Sequence, residues 1–407
     1  MNYIIIVSLF ICTGFLVFQI KNFYNKDINP ISLLYLLFYF VFIFPLFLDF
    51  IFDIPDYDRY YGFKLAINDN LVNLLYCFFI LVCSGFFYFF KGKVVFSIGN
   101  LMINKNKFLF LFVISILPIL YFMTLPNIVP YSIYGTRWVR QLNDYEVALH
   151  SNLVILTFLS CIAAAYLLVT LKKSYLLKIF LIFVVICDIW FNGKRIIYLL
   201  FVTCFSCFYI FNIGKINYKS VAVVFSLVIS FFIFSSWYQN NVRDYDEKLF
   251  EDKYQTFRID YFRDQRVKMA LYSTLYPKSM EILEYPGQSY LFTIGAYIPR
   301  SLWDSKPYPY AHYFTSAMLN SPPGQRDWTM TTSWFDEFIS NFGLLGIFFG
   351  PIAYIYLVRV GMRKNNFFMQ LLTLLLGAIY LYLHMLTFAI LLYAWIFMFF
   401  KTRFRVG

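Results

Sequence analysis

The sequence predicts an all-α, polytopic integral membrane protein. Hydrophobic residues make up 61% of the chain and charged residues only 14%, and the mean hydropathy is +0.65, which excludes an ordinary soluble domain. Apolar runs of about 16–22 residues recur from end to end, and each is long enough to cross roughly 30 Å of hydrocarbon. Together these observations predict about eleven transmembrane helices, interrupted by one large polar loop.

The predicted spans follow one another closely until the loop interrupts them. In order they cover residues 3–20, 31–52, 70–90, 107–125, 149–171, 175–191, 196–212, 219–238, 333–358, 367–382 and 385–400. Residues 367–400 are too long for one ordinary span, so we expect a tight hairpin near His384. The chain therefore divides into eight spans within residues 1–238, a loop at 239–332 and three spans within 333–407.

The lysines and arginines predict the orientation of these spans. The even-numbered connections and the C-terminal tail hold many of these cations and, among the acids, only Asp27. Because connections rich in lysine and arginine remain in the cytoplasm, we expect the N-terminus and the long loop outside and the C-terminus inside. The net charge of +12 is largely explained by these turns, so it gives no reason to expect a nucleic-acid partner.

Cysteine and histidine give no sign of a metal centre. All seven cysteines fall in predicted spans, so the long loop is held together without disulfides. His150, His312 and His384 are scattered and form no cluster with cysteine, and we predict no cofactor. Asp56-Tyr57-Asp58 and Asp244-Tyr245-Asp246 match the DxD spacing of some metal sites, although so short a pattern arises readily by chance.

The long loop has helical segments of its own. Residues Asp260 to Leu275 have helical spacing and are expected to form one helix. Its apolar side is formed largely by Phe262, Val267, Ala270, Leu271 and Leu275. Ser289 to Tyr297 and Tyr308 to Leu319 are expected to form short amphipathic helices at the bilayer surface.

Arginines on the outer face are the first candidates for a binding site. The turn Asn192-Gly193-Lys194-Arg195 joins the sixth and seventh spans, and Arg137 and Arg140 follow the fourth. The long loop adds Arg258, Arg263, Arg266 and Arg300. Contact with lipid headgroups is the alternative role for any one of them. Because the positive-inside rule disfavours arginine on this face, the group predicts a pocket for phosphate or pyrophosphate, which arginine binds bidentately.

Acidic residues at membrane depth are the second group of candidates. Asp336 and Glu337 lie near the outer end of the ninth span, where carboxylates are costly and face a cavity or a basic partner. One of them is expected to act as a general base or to orient a sugar hydroxyl; the alternative is a structural pair with arginine. Asp188 in the sixth span is a weaker candidate of the same type.

One segment of the loop resembles a known family. Residues Ile298 to Tyr313 read IPRSLWDSKPYPYAHY and are similar to the IPR-x-x-W-x-x-KPYPYA-x-Y signature of bacterial oligosaccharide repeat unit polymerases, the O-antigen and capsule polymerases of the Wzy type. Other segments are also similar to segments of that family: Asn29 to Ser32, Arg258 to Asp264, Tyr285 to Ser289, Met330 to Glu337 and Asn341 to Gly346.

The resemblance implies a reaction and a compartment. A growing glycan on undecaprenyl pyrophosphate is the donor, and one lipid-linked repeat unit is the acceptor, whose sugar hydroxyl displaces undecaprenyl pyrophosphate. It further implies a GT-C-like helical fold in the bacterial inner membrane with a periplasmic site. The expected partners are membrane lipids, a chain-length-regulating membrane protein and a repeat-unit flippase. An O-antigen ligase, a polyprenyl-phosphate-sugar transferase and a transporter or flippase are the alternatives.

The candidate residues combine the arginines, the acids and the family signature. The candidates for catalysis are Glu337, Asp336, Arg300 and Arg195. The candidates for substrate binding are Lys194, Arg137, Arg140, Arg263, Asp264, Arg266, Trp303, Lys306, Tyr308, Tyr310 and His312.

Overall fold

In the part of the chain that it describes, the computed structural model consists of helices joined by turns and loops. The described residues are 2–24, 29–90, 104–135, 138–139, 142–171, 174–213, 218–242, 253–296, 298–323, 328–364, 366–383 and 389–403. These ranges contain α-helices and no β-strand. The α-helices are α1 (Asn2–Tyr24), α2 (Pro30–Phe38), α3 (Phe44–Phe52), α4 (Tyr61–Asn68), α5 (Asn70–Phe89), α6 (Lys105–Phe122), α7 (Asp144–Thr170), α8 (Tyr175–Asn192), α9 (Arg195–Ile213), α10 (Tyr218–Asn241), α11 (Lys253–Tyr261), α12 (Asp264–Leu275), α13 (Gln288–Ile294), α14 (Tyr310–Met318), α15 (Trp334–Phe342), α16 (Gly346–Met362), α17 (Phe367–Tyr382) and α18 (Ala389–Arg403).

Eight helical stretches among the described residues are long and apolar enough to cross a membrane. They are Tyr3–Lys21, Pro30–Phe52, Asn70–Phe89, Lys105–Phe122, Asp144–Thr170, Tyr175–Asn192, Val221–Asn241 and Trp334–Met362. Three shorter apolar helices, at Arg195–Ile210, Met369–Tyr382 and Leu391–Lys401, fall where the seventh, tenth and eleventh spans are predicted. The all-helical, membrane-embedded class is confirmed, whereas the count of eleven spans and their orientation remain predictions.

The chain forms two compact units. The first contains Met1–Ser97 and Phe250–Gly407, and the second contains Ile98–Leu249. In the second unit α7 packs against α6, α8 and α9, and α10 packs on α9. Helix α7 begins with a capping box, in which the Asn143 side chain accepts the Glu146 N–H at 2.9 Å and the Glu146 carboxylate accepts the Asn143 N–H at 3.3 Å.

The first unit is built around aromatic rings and around a helix from the polar loop. The ring of Phe335 lies edge-on to Phe38, Phe42 and Phe79, with centroids 5.4–5.7 Å apart. Helix α12 packs against α4, α5 and α15, and seven consecutive residues from Gln265 to Leu271 are buried. Part of the predicted outer loop is therefore in the core of this unit.

A π-helical turn connects α2 and α3 and anchors the loop. It spans Tyr39–Ile43, just before Pro45. Proline has no N–H, so it cannot bond to the carbonyl of Val41, four residues earlier. The backbone N–H of Arg263 donates to that carbonyl at 3.2 Å, and the Tyr76 hydroxyl donates to the next one, Phe42, at 2.5 Å. The proline thus creates the acceptor that positions the start of α12.

The single helix predicted over Asp260 to Leu275 is wrong at its beginning. Helix α11 ends at Tyr261 and α12 begins at Asp264, so the chain turns at Phe262 and Arg263. The guanidinium of Arg266 donates to the carbonyls of Ile259 at 2.8 Å and Phe262 at 2.5 Å. These bonds satisfy carbonyls at the end of α11 and stabilise the break between the helices.

Candidate functional site

Arg300 and Lys306 hold the segment that carries the family signature. The guanidinium of Arg300 donates to the carbonyls of Lys306 at 2.7 Å and Pro307 at 3.1 Å. The ammonium of Lys306 donates to the carbonyls of Ala296 at 2.9 Å and Ile298 at 2.8 Å. Arg300 thus binds carbonyls that follow it in the segment, and Lys306 binds carbonyls that precede it. These crossed hydrogen bonds fix the loop, although it has no regular secondary structure.

Arg300 is exposed, in contrast to Arg258, Arg263 and Arg266, the other loop arginines that the structure describes. Its guanidinium carbon lies 4.5 Å from the centre of the Tyr308 ring, a cation–π distance. Within the described part of the chain it forms no ion pair with a carboxylate. Two of the five N–H groups that a guanidinium offers are directed at the loop carbonyls. The result is a rigid cation with donors left for an anion.

Trp303 and His312 follow this arginine in the sequence signature. The His312 ring lies 5.7 Å from Tyr308, and burial and the Arg300 charge lower the pKa of the imidazole below its usual 6.5. The half-buried His312 is therefore neutral at pH 7 and able to accept a proton. The Trp303 ring packs against Gly295, where an added Cβ would lie 2.6 Å from it, and its N–H donates to Ser305 at 3.1 Å.

Tyr310 joins the signature to the predicted catalytic acids. Its buried hydroxyl lies 3.0 Å from the carbonyl of Asp336, to which it donates, and 2.8 Å from the Ser340 hydroxyl. One oxygen of the Asp336 carboxylate accepts bonds from the N–H of Ser333, at 2.7 Å, and from its hydroxyl. Asp336 is thus part of the capping box that begins α15, which is a structural role.

Glu337 is the centre of a buried polar network. Its carboxylate accepts a hydrogen bond from the Ser289 hydroxyl at 2.8 Å, and its side chain is almost completely buried. The amide of Asn341 donates to Ser289 at 2.8 Å and its oxygen accepts the Gly287 N–H at 3.0 Å. Ser289 and Asn341 were not singled out from the sequence, although Asn341 lies one helical turn after Glu337.

Arg263, Asp264 and Arg266, which the sequence predicts as substrate-binding residues, are buried. The Arg263 side chain donates to the Tyr382 carbonyl at 3.1 Å, and Arg266 donates to loop carbonyls, including that of Thr331. Asp264 accepts two hydrogen bonds from Arg258, at 2.8 and 2.7 Å. The polar atoms of these three side chains are used within the protein, and we assign them to the fold.

The buried partner of Asp264 is shared with a second carboxylate. Arg258 also donates to both oxygens of Asp49, at 3.0 and 2.8 Å, and is itself only 1% exposed. Lys268 lies nearby with its ammonium 5.2 Å from the Tyr76 ring, and burial lowers its pKa although Asp264 and Asp49 oppose the change. Two cations, Arg258 and Lys268, and two carboxylates, Asp49 and Asp264, therefore lie together where the end of α3 meets α11 and α12.

Arg195 and Lys194 belong to the second unit. Gly193 ends α8 with a φ of +64°, a left-handed conformation that favours glycine, and α9 begins at Arg195. Arg195 donates to the Ser235 hydroxyl at 3.0 Å, and Lys194 is exposed. Arg137 and Arg140 lie outside the described residues. A shared binding site for these cations and Arg300 remains a prediction.

Asp188 is completely buried in a polar cluster of the second unit. The Ser160 hydroxyl lies 2.6 Å from the Asp188 carboxyl and 2.6 Å from the Ser115 carbonyl. This geometry indicates a structural hydrogen bond between α7 and α8.

The described DxD motif is engaged by a lysine. The exposed Asp56 and Asp58 both form ion pairs with Lys64, that of Asp56 at 3.8 Å, while Tyr57 between them is buried. The second motif, Asp244 to Asp246, lies outside the described residues. Among the described residues no three or more histidine, cysteine or acidic side chains are grouped as a metal site would require.

Comparisons with protein-family models, with curated proteins and with solved structures give no match for this chain. The class of the molecule therefore rests on its own geometry. It is a membrane-embedded helical protein, and among the described arginines of its polar loop Arg300 is exposed and fixed, with the half-buried His312 on the same tyrosine ring.

Proposed function

We propose that this protein is a membrane glycosyltransferase that polymerises lipid-linked oligosaccharide repeat units. The donor is a glycan on undecaprenyl pyrophosphate, the acceptor is one lipid-linked repeat unit, and the site faces the periplasm of the inner membrane. The product is O-antigen or capsular polysaccharide. The proposal rests most directly on Arg300, an exposed guanidinium that is fixed before any ligand binds.

Arg300 suits a reaction that expels a pyrophosphate. The acceptor hydroxyl oxygen forms a bond to the anomeric carbon of the donor, and the bond from that carbon to the pyrophosphate oxygen breaks. Negative charge accumulates on the leaving oxygen, and a positioned guanidinium stabilises it by paired hydrogen bonds. Because the two loop carbonyls hold Arg300 in place, little reorganisation is needed during the reaction.

His312 is the accessible candidate for the base that takes the acceptor proton. It is half-buried and neutral, and it contacts the same Tyr308 ring as Arg300, whereas Asp336 and Glu337 are buried in hydrogen-bonded networks. In this proposal Glu337 is a positioning residue. Its bonds through Ser289 and Asn341 fix α13 against α15.

The test is the glycan formed in a host that lacks its own polymerase. Wild-type protein should give a ladder of long chains, whereas Arg300→Ala should give only single repeat units at normal protein abundance. Arg300→Lys should rescue poorly, because an ammonium lacks the paired donors of a guanidinium. Lys278→Ala, which removes an exposed cation of the same unit, is the matched control and should preserve the ladder.

Three outcomes would reject all or part of the proposal. A full ladder from Arg300→Ala would reject the role of this cation in stabilising the leaving group, although not the polymerase itself. A wild-type protein that yields no polymer in this host would reject the polymerase. Transfer of single units to lipid A core by the wild-type protein, with no polymer, would instead identify a ligase.

A further inference from the structure

A groove in the first unit is separate from the surface that carries Arg300. Its volume is about 400 Å³, within the range of roughly 300–1,000 Å³ typical of small-molecule sites. It lies between α4, α14 and the segment that precedes α13. Its polar lining includes Tyr61, Glu281, Glu284, Tyr313, Asn320 and Ser321.

The end of α14 shapes one wall of this groove. The Ser321 N–H donates to the Ser316 carbonyl at 2.9 Å, and the Asn320 N–H donates to the Ala317 carbonyl at 3.3 Å. This is the Schellman pattern, and Asn320 has the left-handed φ of +50° that it requires. The turn places Asn320 and Ser321 on the groove, where the buried Ser321 hydroxyl has no hydrogen-bond partner among the described residues.

The chemistry of the lining differs from that of the Arg300 surface. The described lining residues include two glutamates, three serines, an asparagine and two tyrosines, and none is lysine or arginine. Glu281 and Glu284 are exposed carboxylates, which accept hydrogen bonds and repel anions. Such a lining suits a ligand with several hydroxyl donors and an apolar ring face, and it disfavours pyrophosphate.

Tyr313 connects the groove to Arg300. Its hydroxyl accepts hydrogen bonds from the Gln288 side chain at 3.0 Å and from the Tyr308 N–H at 3.1 Å. The Tyr308 ring, in turn, lies under the Arg300 guanidinium. A sugar in the groove is therefore on the same rigid support as the proposed pyrophosphate-binding cation.

We propose that this groove is a sugar subsite that accepts neutral or amino sugars and rejects uronic acids. The inference rests on the proposed function for the identity of the glycan, and it adds where the sugars bind and which charge they carry. Glu281 and Glu284 set the charge preference, and Asn320 and Ser321 supply further hydrogen bonds.

Direct binding to purified protein tests the subsite without any transfer reaction. The probes are chitobiose, N,N′-diacetylchitobiose and digalacturonic acid, with saturation-transfer NMR as the readout. We expect the first two to bind and the uronate to fail. Glu281→Gln should weaken the amino disaccharide by roughly tenfold, the loss of one charged hydrogen bond, and Ala317→Trp should fill the groove and abolish binding.

Matched variants make the result decisive. Asp53→Asn, an exposed acid of the same unit outside the groove, should bind like wild type, since asparagine tolerates its left-handed φ of +61°. Arg300→Ala should bind the free disaccharides normally while losing polymer. The subsite is rejected if wild type binds neither chitobiose nor its acetylated form, if it binds the uronate equally well, or if Ala317→Trp binds normally. If wild type makes no polymer but these binding results hold, only the polymerase proposal is rejected and the subsite stands.

Discussion

Arg258→Met should strongly destabilise the first unit. The arginine makes four hydrogen bonds, at 2.7–3.0 Å, to the carboxylates of Asp49 and Asp264. After the change Asp49 keeps the Tyr254 hydroxyl at 2.7 Å, but Asp264, which is 0% exposed, keeps no ion-pair partner among the described residues. An unpaired buried charge of this kind costs about 3–5 kcal/mol, or roughly two to four decades in the unfolding equilibrium.

Thermal unfolding in detergent, followed with a thiol-reactive dye, measures this loss. Cys12, Cys77 and Cys83 of the same unit are buried, so they react only when it opens. Arg258→Met should unfold at a much lower temperature than wild type. Arg258→Lys should fall between them, because an ammonium keeps the charge but not the fork of donors.

The exposed ion pair of the same unit provides the control. Lys64→Met removes the partner of Asp58 at a fully solvated site, where charges are screened and contribute little. Its unfolding temperature should equal that of wild type. Equal unfolding temperatures for Arg258→Met and wild type, or equal losses for the two variants, would refute the reasoning from burial.

Three further predictions concern packing, pH and orientation. Gly346→Ala should lower the unfolding temperature, because the new Cβ would lie 2.6 Å from backbone atoms where α15 meets α16. Gly14→Ala, where nothing lies within 4 Å of the added Cβ, should not; the thiol-dye unfolding assay measures both variants. Polymerising activity should persist down to about pH 6.5 and fall below it as His312 is protonated, and His312→Gln should be less active throughout a measured pH profile. A periplasm-dependent reporter should be active after Asp252 and silent after Arg405.

The spans could be predicted because their signal is local. Each needs only a run of apolar residues of sufficient length, and the eight candidate spans lie close to the predicted ranges. The same holds for α13 and α14, whose bounds lie within a few residues of the amphipathic segments predicted at Ser289 to Tyr297 and Tyr308 to Leu319. The turn residues and prolines that end such helices can be recognised from a few residues of the sequence.

The break between α11 and α12 could not be predicted, because it depends on distant residues. The N–H of Arg263 bonds to a carbonyl that Pro45 leaves open, and Arg258 bonds to Asp49, 209 residues away in sequence. The sequence places α12 in a polar outer loop. In the fold this helix is in the core, where partners from another part of the chain neutralise its charges. Hydropathy therefore gives no sign that this polar helix belongs to the core.

The arginines show why composition alone cannot locate the candidate site. Arg258, Arg263 and Arg300 lie in segments that resemble the same family, and Arg266 follows one of these segments closely. The sequence gives all four arginines similar prospects as anion ligands. In the fold three are buried against carbonyls and carboxylates, and Arg300 is exposed with its guanidinium fixed by the loop. Fixing a cation on the surface requires a support that is already rigid, and the buried arginines bind the helices that provide it. On this argument, loss of a buried arginine should reduce polymer and stability together, whereas loss of Arg300 should reduce polymer alone.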